Sequence, residues 1–148
     1  MRATLVMLAV ILPVTLVSSA YAHHSHVYDQ CKSTTIEGRV ERVEFKNPHN
    51  LITLRLDDGT GYIVDWLNVT RLTSAGIIVA AKQTMVPGAR VVVTGFRIRT
   101  VSEIRQLTPK FKGDVDPNTI EARSIRRVDD SFSWAPSASA YTPNCSGN

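Results

Sequence analysis

The chain of 148 residues has few of the residues on which enzymes and redox proteins depend, with two cysteines and four histidines. It contains no CxxC pair, no HExxH motif, no phosphate-binding glycine loop and no GxSxG nucleophile elbow. These absences exclude the common thiol-redox, zinc-protease, nucleotide-hydrolysing and α/β-hydrolase patterns. Among the carboxylates, Asp65 beside Trp66 is the one to examine as a reactive group, and a surface position is its alternative. We expect a protein that is not an enzyme, and we assign no residue a catalytic role.

Aromatic side chains make up only 7% of the chain. Before the C-terminal tail, the basic second half offers only Phe96 and Phe111 for stacking on bases, and stacking is how proteins hold single-stranded nucleic acid. We therefore expect no nucleic-acid partner, and we expect the basic residues to face an anionic envelope partner or solvent. These residues are Arg97, Arg99, Arg105, Lys110, Lys112, Arg123, Arg126 and Arg127.

Long apolar runs are also scarce, and the one present, residues 5–17, is shorter than the roughly 20 residues that span a bilayer. It follows the positive charge of Arg2 and precedes the small residues of 18–22. That layout predicts a signal peptide over residues 1–22, cut after Ala22 or alternatively after Ala20. An uncleaved membrane anchor is the competing interpretation. We expect a periplasmic or secreted protein with no stable membrane span after cleavage.

The two cysteines, Cys31 and Cys145, lie near the two ends of the processed chain. In an exported protein an even pair is expected to form a disulfide. The ends of a compact domain are often close together, which makes the bridge geometrically reasonable. Two free thiols are the alternative.

Apolar and polar residues alternate over five short segments: 36–45, 51–56, 62–66, 90–98 and 120–128. The alternation changes phase between Val40 and Val43, which predicts a bulge. Asp58-Gly59 predicts a tight hairpin, and Gly95 predicts a bend or a close approach. Helical spacing after Asn68, a residue suited to capping a helix, predicts one helix before the fourth strand.

This order predicts an all-β fold with one short helix: a small five-stranded OB-like barrel with the helix between strands 3 and 4. A small sandwich and an SH3-like barrel are the alternatives. Residues 99–118 are expected to form a long charged loop. We divide the chain into a signal peptide (1–22), an N-terminal histidine-containing arm (23–35), the barrel domain (36–128) and an irregular tail (129–148).

Several motifs resemble those of one protein family. They are His23-His24-Ser25, a strand entering Asn47-Pro48-His49, Trp66, and the segment Pro87–Gly95. In these features, over roughly residues 23–128, the chain is similar to the DUF6152 proteins, which are small exported bacterial proteins of uncharacterised function. The resemblance implies the fold and the compartment, and it implies no activity.

The histidines are clustered, and none follows residue 49. Neutral imidazole suits copper, zinc, nickel and iron, and a free terminal amine after Ala22 adds a nitrogen donor. A cut after Ala20 would instead place a histidine third from the amine, a spacing that suits tetragonal copper or nickel. We predict a metal site formed by His23, His24, His26 and His49, with Asn47 and Pro48 supporting His49. The alternative is a solvated N-terminus, with His49 bonded only to neighbouring groups of its turn.

We therefore expect an exported binding or accessory protein whose cofactor is a transition metal, copper first. The alternative is a metal-free adaptor or structural module. It would dock an exported protein or another envelope component through the barrel face and loop 99–118.

Overall fold

The protein is a mostly antiparallel β-sheet with a few short helices, seen in a computed structural model that describes residues 27–136 and residue 145. The strands are β1 (Tyr28–Glu44), β2 (Asn50–Arg55), β3 (Gly61–Trp66), β4 (Arg90–Ile98), β5 (Thr119–Arg127) and β6 (Ser133–Trp134). The helices are α1 (Val69–Ser74), α2 (Ile78–Thr84) and α3 (Val101–Leu107).

The hairpin of β2 and β3 follows directly from the alternation of its residues. Ile52 and Leu54 are buried in β2, and Val64 and Trp66 are buried in β3, while the residue between each pair is partly exposed. Gly59 in the connecting turn has a φ of 86°, a backbone conformation that glycine adopts without steric cost. The predicted hairpin is confirmed.

Strand β1 is shared by two neighbours. It pairs with β4 over most of its length and with β2 at its C-terminal end. The register with β2 shifts between Val40 and Arg42, which confirms the predicted bulge. A bulge bends a strand and increases its twist, so β1 can belong to both pairs.

The strand order is β3-β2-β1-β4-β5-β6, and β3 also pairs with β5 in parallel. The pairings therefore link the first five strands in a ring, with β6 added beside β5. One side of the sheet forms the apolar core, to which Leu72 of α1 and Ala81 of α2 also contribute. Asp65 and Glu121 alternate with core residues of β3 and β5, so both lie on the opposite face.

Gly95 marks a close approach between β4 and β5, as the sequence predicts. The register of the two strands shifts between Thr94 and Gly95. A Cβ atom at Gly95 would collide with the backbone carbonyl oxygen of Glu121. The missing side chain is therefore a packing requirement.

The structure has more helix than the one short helix predicted. The helical segment between β3 and β4 is two helices, α1 and α2, which are separated at Gly76, with φ 70°. Helix α3 lies within residues 99–118, where the prediction of a loop is wrong. Thr100 caps this helix and Glu103 bonds back to the Thr100 backbone, which forms a capping box that the sequence Thr-x-x-Glu could have indicated. None of the helices within residues 27–136 is long and apolar enough to cross a membrane.

Two predicted segments also differ from the structure at their boundaries. β1 begins at Tyr28, so residues 28–35 of the predicted arm belong to the sheet. A search for apolar alternation misses them because residues 30–35 have no buried side chain. Backbone pairing with β4 and the ion pairs of Asp29 with Arg97 and Arg99 hold this part of β1. Within the predicted irregular tail, Phe132 and Trp134 are buried against Trp66, and β6 pairs with β5.

Candidate functional site

One of the four predicted metal ligands, His49, lies in the part of the chain that the structure describes. His23, His24 and His26 lie outside the described residues, as does the predicted signal peptide. The structure joins Cys31 to Cys145 with a Cα–Cα distance of 5.6 Å, which supports the predicted disulfide.

The turn that carries His49 is fixed by the side chain of Asn50, which is fully buried. Its Oδ1 accepts a hydrogen bond of 2.8 Å from the backbone N–H of Lys46, and its Nδ2 donates to the carbonyl oxygen of Leu67. An unpaired buried amide is costly, so these bonds stabilise the turn and tie it to the end of β3. The Asn47–Pro48 peptide in this turn is cis. The sequence marks Asn50 as a turn former and does not indicate its burial.

His49 is oriented by a carboxylate of the neighbouring strand. Its Nδ1 lies 2.8 Å from Oδ1 of Asp65. The Asp65 side chain is only 14% exposed, whereas that of His49 is 31% exposed. A carboxylate on one ring nitrogen fixes the orientation of an imidazole and raises its basicity at the other nitrogen. This arrangement is the usual support for a histidine that ligates a metal.

The second oxygen of Asp65 binds the start of β1. Oδ2 accepts a hydrogen bond of 2.7 Å from the hydroxyl of Tyr28, whose side chain is buried. Burial raises the pKa of the Tyr28 hydroxyl, and the adjacent Asp65 carboxylate raises it further. Tyr28 therefore remains protonated and donates its hydrogen bond across the neutral pH range. The sequence analysis missed Tyr28, because nothing in an extended segment indicates its distant partner.

Glu121 completes the group of polar side chains on this face. It lies beside Asp65 in the parallel ladder of β3 and β5. Burial raises the pKa of the Glu121 carboxyl. The electrostatic effects of Arg123 and His49 lower this pKa, and that of Asp65 raises it. The site therefore contains one imidazole, one phenol and two carboxylates, drawn from four separate segments of the chain.

Among the polar side chains of this site, the His49 imidazole is the one that could bind a transition metal. Within residues 27–136 and residue 145, no group of three or more His, Cys, Asp and Glu side chains is placed to hold a metal ion. Among the described residues, the histidine is His49. Asp65 contacts its Nδ1 and does not contact its Nε2. The geometry provides an oriented imidazole to which further ligands would have to be added.

Most of the basic residues noted in the sequence have acidic or carbonyl partners. Arg97 pairs with Asp29 and Glu103. Arg126 pairs with Asp130, and Arg127 pairs with Asp129. The guanidinium of Arg123 lies over the Phe96 ring, 5.4 Å from its centroid. These contacts reduce the positive field that the sequence suggests for this half of the chain.

The crystal structure of the S. pombe Stn1-ten1 complex contains a chain similar to this one, with a TM-score of 0.44 and 16% sequence identity. The similarity covers 66% of this chain and 59% of the chain in that complex. This chain therefore spans less than two thirds of the length of the chain that it matches. No curated protein matches the sequence.

The family comparison covers most of the chain, including the four histidines and the fold as far as α3. Residues 12–104 match the family described as "Family of unknown function (DUF6152)". This chain belongs to the DUF6152 family.

Proposed function

We propose that the protein is an exported accessory protein, periplasmic or secreted, that binds copper through its N-terminal histidines together with His49. In this proposal it binds its ligand and carries out no reaction. One observation carries the proposal: Asp65 holds the His49 imidazole and the Tyr28 hydroxyl at the same time, at 2.8 and 2.7 Å. The segment with the other three histidines ends two residues before Tyr28 in the sequence.

The short stretch of chain between that segment and Tyr28 supports the proposal. His26 precedes Tyr28 by two residues, so their Cα atoms lie within about 7 Å of each other. His23 and His24 are three and two residues further away. Ligands joined to a site by a short stretch of chain have an effective concentration of the order of millimolar. The arrangement therefore supports a shared site more directly than the sequence does.

Copper is the preferred metal because of the donor set. A cut after Ala22 would give His23 a free amine beside its imidazole, and a second histidine with His49 would complete a nitrogen-rich site. Tetragonal nitrogen ligation suits Cu(II), which binds most tightly among the divalent first-row metals. Asp65 would keep His49 in one orientation through its contact with Nδ1.

The ring of strands is, in this proposal, the OB-like barrel expected from the sequence. Its support is the element order, with helices between β3 and β4, together with the sharing of β1 by β2 and β4. The parallel pairing of β3 with β5 supports it as well. In the five-stranded order β3-β2-β1-β4-β5 these are the two edge strands, and a barrel closes when its edge strands pair.

The test of the metal proposal uses protein exported and processed in a bacterial cell, with its first residue fixed by intact mass. Cu(II) is titrated against a competing chelator. Loss of an outer-shell partner costs roughly 10- to 100-fold in metal affinity, so we expect that loss from Asp65→Asn and at least as much from His49→Ala. Gln83→Ala, an exposed change on α2, is the control and should bind copper like the wild type.

Two results would overturn the metal proposal. One is a processed chain that begins well after His26. The other is wild-type affinity in both His49→Ala and Asp65→Asn, which would leave only the local amine and histidines as ligands.

The adaptor interpretation has one observation of its own. Leu107 at the end of α3 is 52% exposed and is followed by the exposed Lys110 and Lys112. If copper binding fails, recovery of one envelope protein by the wild type and not by Leu107→Asp would favour this second function.

A further inference from the structure

The Cys31–Cys145 disulfide lies on the surface of the molecule. Both cysteine residues are exposed, and neither belongs to the apolar core formed by the strands with α1 and α2. Exposed bridges are the labile ones among protein disulfides, because a dissolved thiol can reach the sulfur atoms. A thiol in solution therefore has access to this bond in the folded protein.

Cys31 belongs to an irregular part of β1. Where β4 has the single residue Arg97, β1 has the four residues 29–32, and the regular ladder resumes at Tyr28 on one side and at Ser33 on the other. Extra residues of this kind interrupt the ladder and change the direction of side chains. We call residues 29–32 the β1 bulge. The sheet fixes both of its ends.

Noncovalent contacts hold the β1 bulge independently of the disulfide. Asp29 is only 6% exposed, and its carboxylate lies 3.4 Å from Arg99 and 3.5 Å from Arg97. The same carboxylate accepts a hydrogen bond of 3.3 Å from the backbone N–H of Cys31. Arg99 also donates to the carbonyl oxygen of Tyr28 at 2.7 Å. A buried carboxylate persists when it is paired and hydrogen-bonded, so we expect Cys31 to keep its position when the bridge is reduced.

The charges around the β1 bulge favour a thiolate at Cys31. Three positive and two negative side chains share one ionic network there: Lys32, Arg97, Arg99, Asp29 and Glu103. The net charge of this network is positive, and Lys32 directly follows Cys31 in the sequence. Nearby cations lower the pKa of a thiol, and a sulfur whose thiol has a lower pKa leaves faster in disulfide exchange.

We infer that Cys31–Cys145 is an exchangeable disulfide that is attacked at Cys145 and broken with Cys31 as the leaving sulfur. The co-reactant is a thiol reductant. Its thiolate forms a bond to Sγ of Cys145, and the electron pair of the broken S–S bond goes to Sγ of Cys31. The protein is the substrate of this exchange, and the inference does not depend on the proposed metal site.

A second reductant thiolate completes the reduction. It attacks the reductant sulfur of the mixed disulfide, and Cys145 leaves as a thiolate. The reductant is oxidised to its own disulfide, the bridge gains two electrons, and the two protons lost by the reductant thiols pass to the two cysteines. The reverse steps form the bridge again.

The test exposes the folded full chain, with its disulfide formed, to reduced glutathione and traps free thiols by rapid alkylation. Peptide mass spectrometry then identifies which cysteine carries glutathione and which carries the alkyl group. We expect the first product to carry glutathione on Cys145 and the alkyl group on Cys31. A first product with glutathione mainly on Cys31 would overturn the inference.

The rate of exchange shows whether the folded protein reacts. We expect a rate proportional to the glutathione concentration and unchanged by urea below the unfolding transition, with the β-sheet circular dichroism retained after reduction. A rate that rises steeply with urea in that range would mean that the bridge reacts only after unfolding, and this result would overturn the inference. Loss of the β-sheet spectrum on reduction would overturn it as well.

Lys32→Gln tests the influence of charge on the direction of attack. The variant should lower the ratio of glutathione on Cys145 to glutathione on Cys31 by roughly twofold to threefold, because the leaving thiolate loses a neighbouring cation. Lys46→Gln is the matched control, since it removes a lysine paired with Glu44 at the other end of β1, and its ratio should equal that of the wild type. A wild-type ratio in Lys32→Gln would overturn the charge argument for Cys31 as the leaving sulfur.

Discussion

At the scale of single residues, positions outside the predicted ligand set determine where the candidate site lies. Asn50 is buried to hold the turn of His49, and Tyr28 is buried to bind Asp65. Gly95 lets the backbone of β5 pass next to β4, close to Glu121. Each of these residues has at least one partner far away in the sequence, so the identity of the residue alone could not reveal its role.

Gly95→Ala is expected to destabilise the fold. The added methyl group would meet the carbonyl oxygen of Glu121, a backbone atom that cannot rotate away. Overpacking costs roughly 1–3 kcal/mol, and we expect the free energy of unfolding in urea to fall by at least about 2 kcal/mol. Gly61→Ala is the control, because its new Cβ atom would meet only the side chain of Arg55 at 3.4 Å. Equal unfolding free energies for the two variants would contradict the steric argument.

At the scale of elements, α3 shows what a local sequence signal can and cannot indicate. The capping box of Thr100 and Glu103 is readable from the spacing of two residues. The same Glu103 carboxylate also binds Arg97, and that contact depends on where α3 packs. The sequence could have predicted the helix, but it could not have predicted the ion pair between Glu103 and Arg97.

Glu103→Gln tests the charge of this carboxylate separately from the capping box, because glutamine can also occupy that box. Hydrogen bonds from Arg97 and from the Thr100 backbone lower the pKa of Glu103 from 4.5 to about 2. A carboxyl whose pKa is lowered by folding stabilises the fold above its unfolded value, and that stabilisation is lost as the pH falls. The side chain is 33% exposed, so solvent screening keeps the expected loss at neutral pH to about 1 kcal/mol or less.

The measurement is urea unfolding of the wild type and Glu103→Gln at several pH values. The difference in unfolding free energy should be full above pH 4.5 and should shrink as the pH falls towards 2. A difference that stays constant down to the lowest pH would mean that the variant acts through shape and not through charge.

At the scale of the whole molecule, the contact between β3 and β5 decides whether the sheet is closed. The backbone N–H of Ile63 donates to the carbonyl oxygen of Asn118 at 2.9 Å, and the ladder continues to Asp65 and Glu121. This seam also brings the two carboxylates of the candidate site together. Closure of the ring and assembly of the site therefore depend on the same three residue pairs.

If the ring is the proposed barrel, the amide of Ile63 should exchange with deuterium only through global opening, because it is bonded within the sheet. The Thr60 amide, which is bonded to Asp58 in the exposed hairpin turn, is the comparison and should exchange much faster. Hydrogen exchange followed by nuclear magnetic resonance resolves both amides. Fast exchange at Ile63 would mean that the seam opens and that the sheet is not a barrel in solution.

The sequence alone was sufficient for features that depend on neighbouring residues. Alternation gave five of the strands, Asp58-Gly59 gave the hairpin, and the change of phase after Val40 gave the bulge, because each is encoded within a few positions. The tertiary structure alone decided the partners of Asp65, the burial of Asn50 and the ion pairs of Asp29. Asp65 lies 37 positions from Tyr28, Asn50 lies 17 positions from Leu67, and Asp29 lies 70 positions from Arg99. A pattern read along the chain carries no information about distances across it.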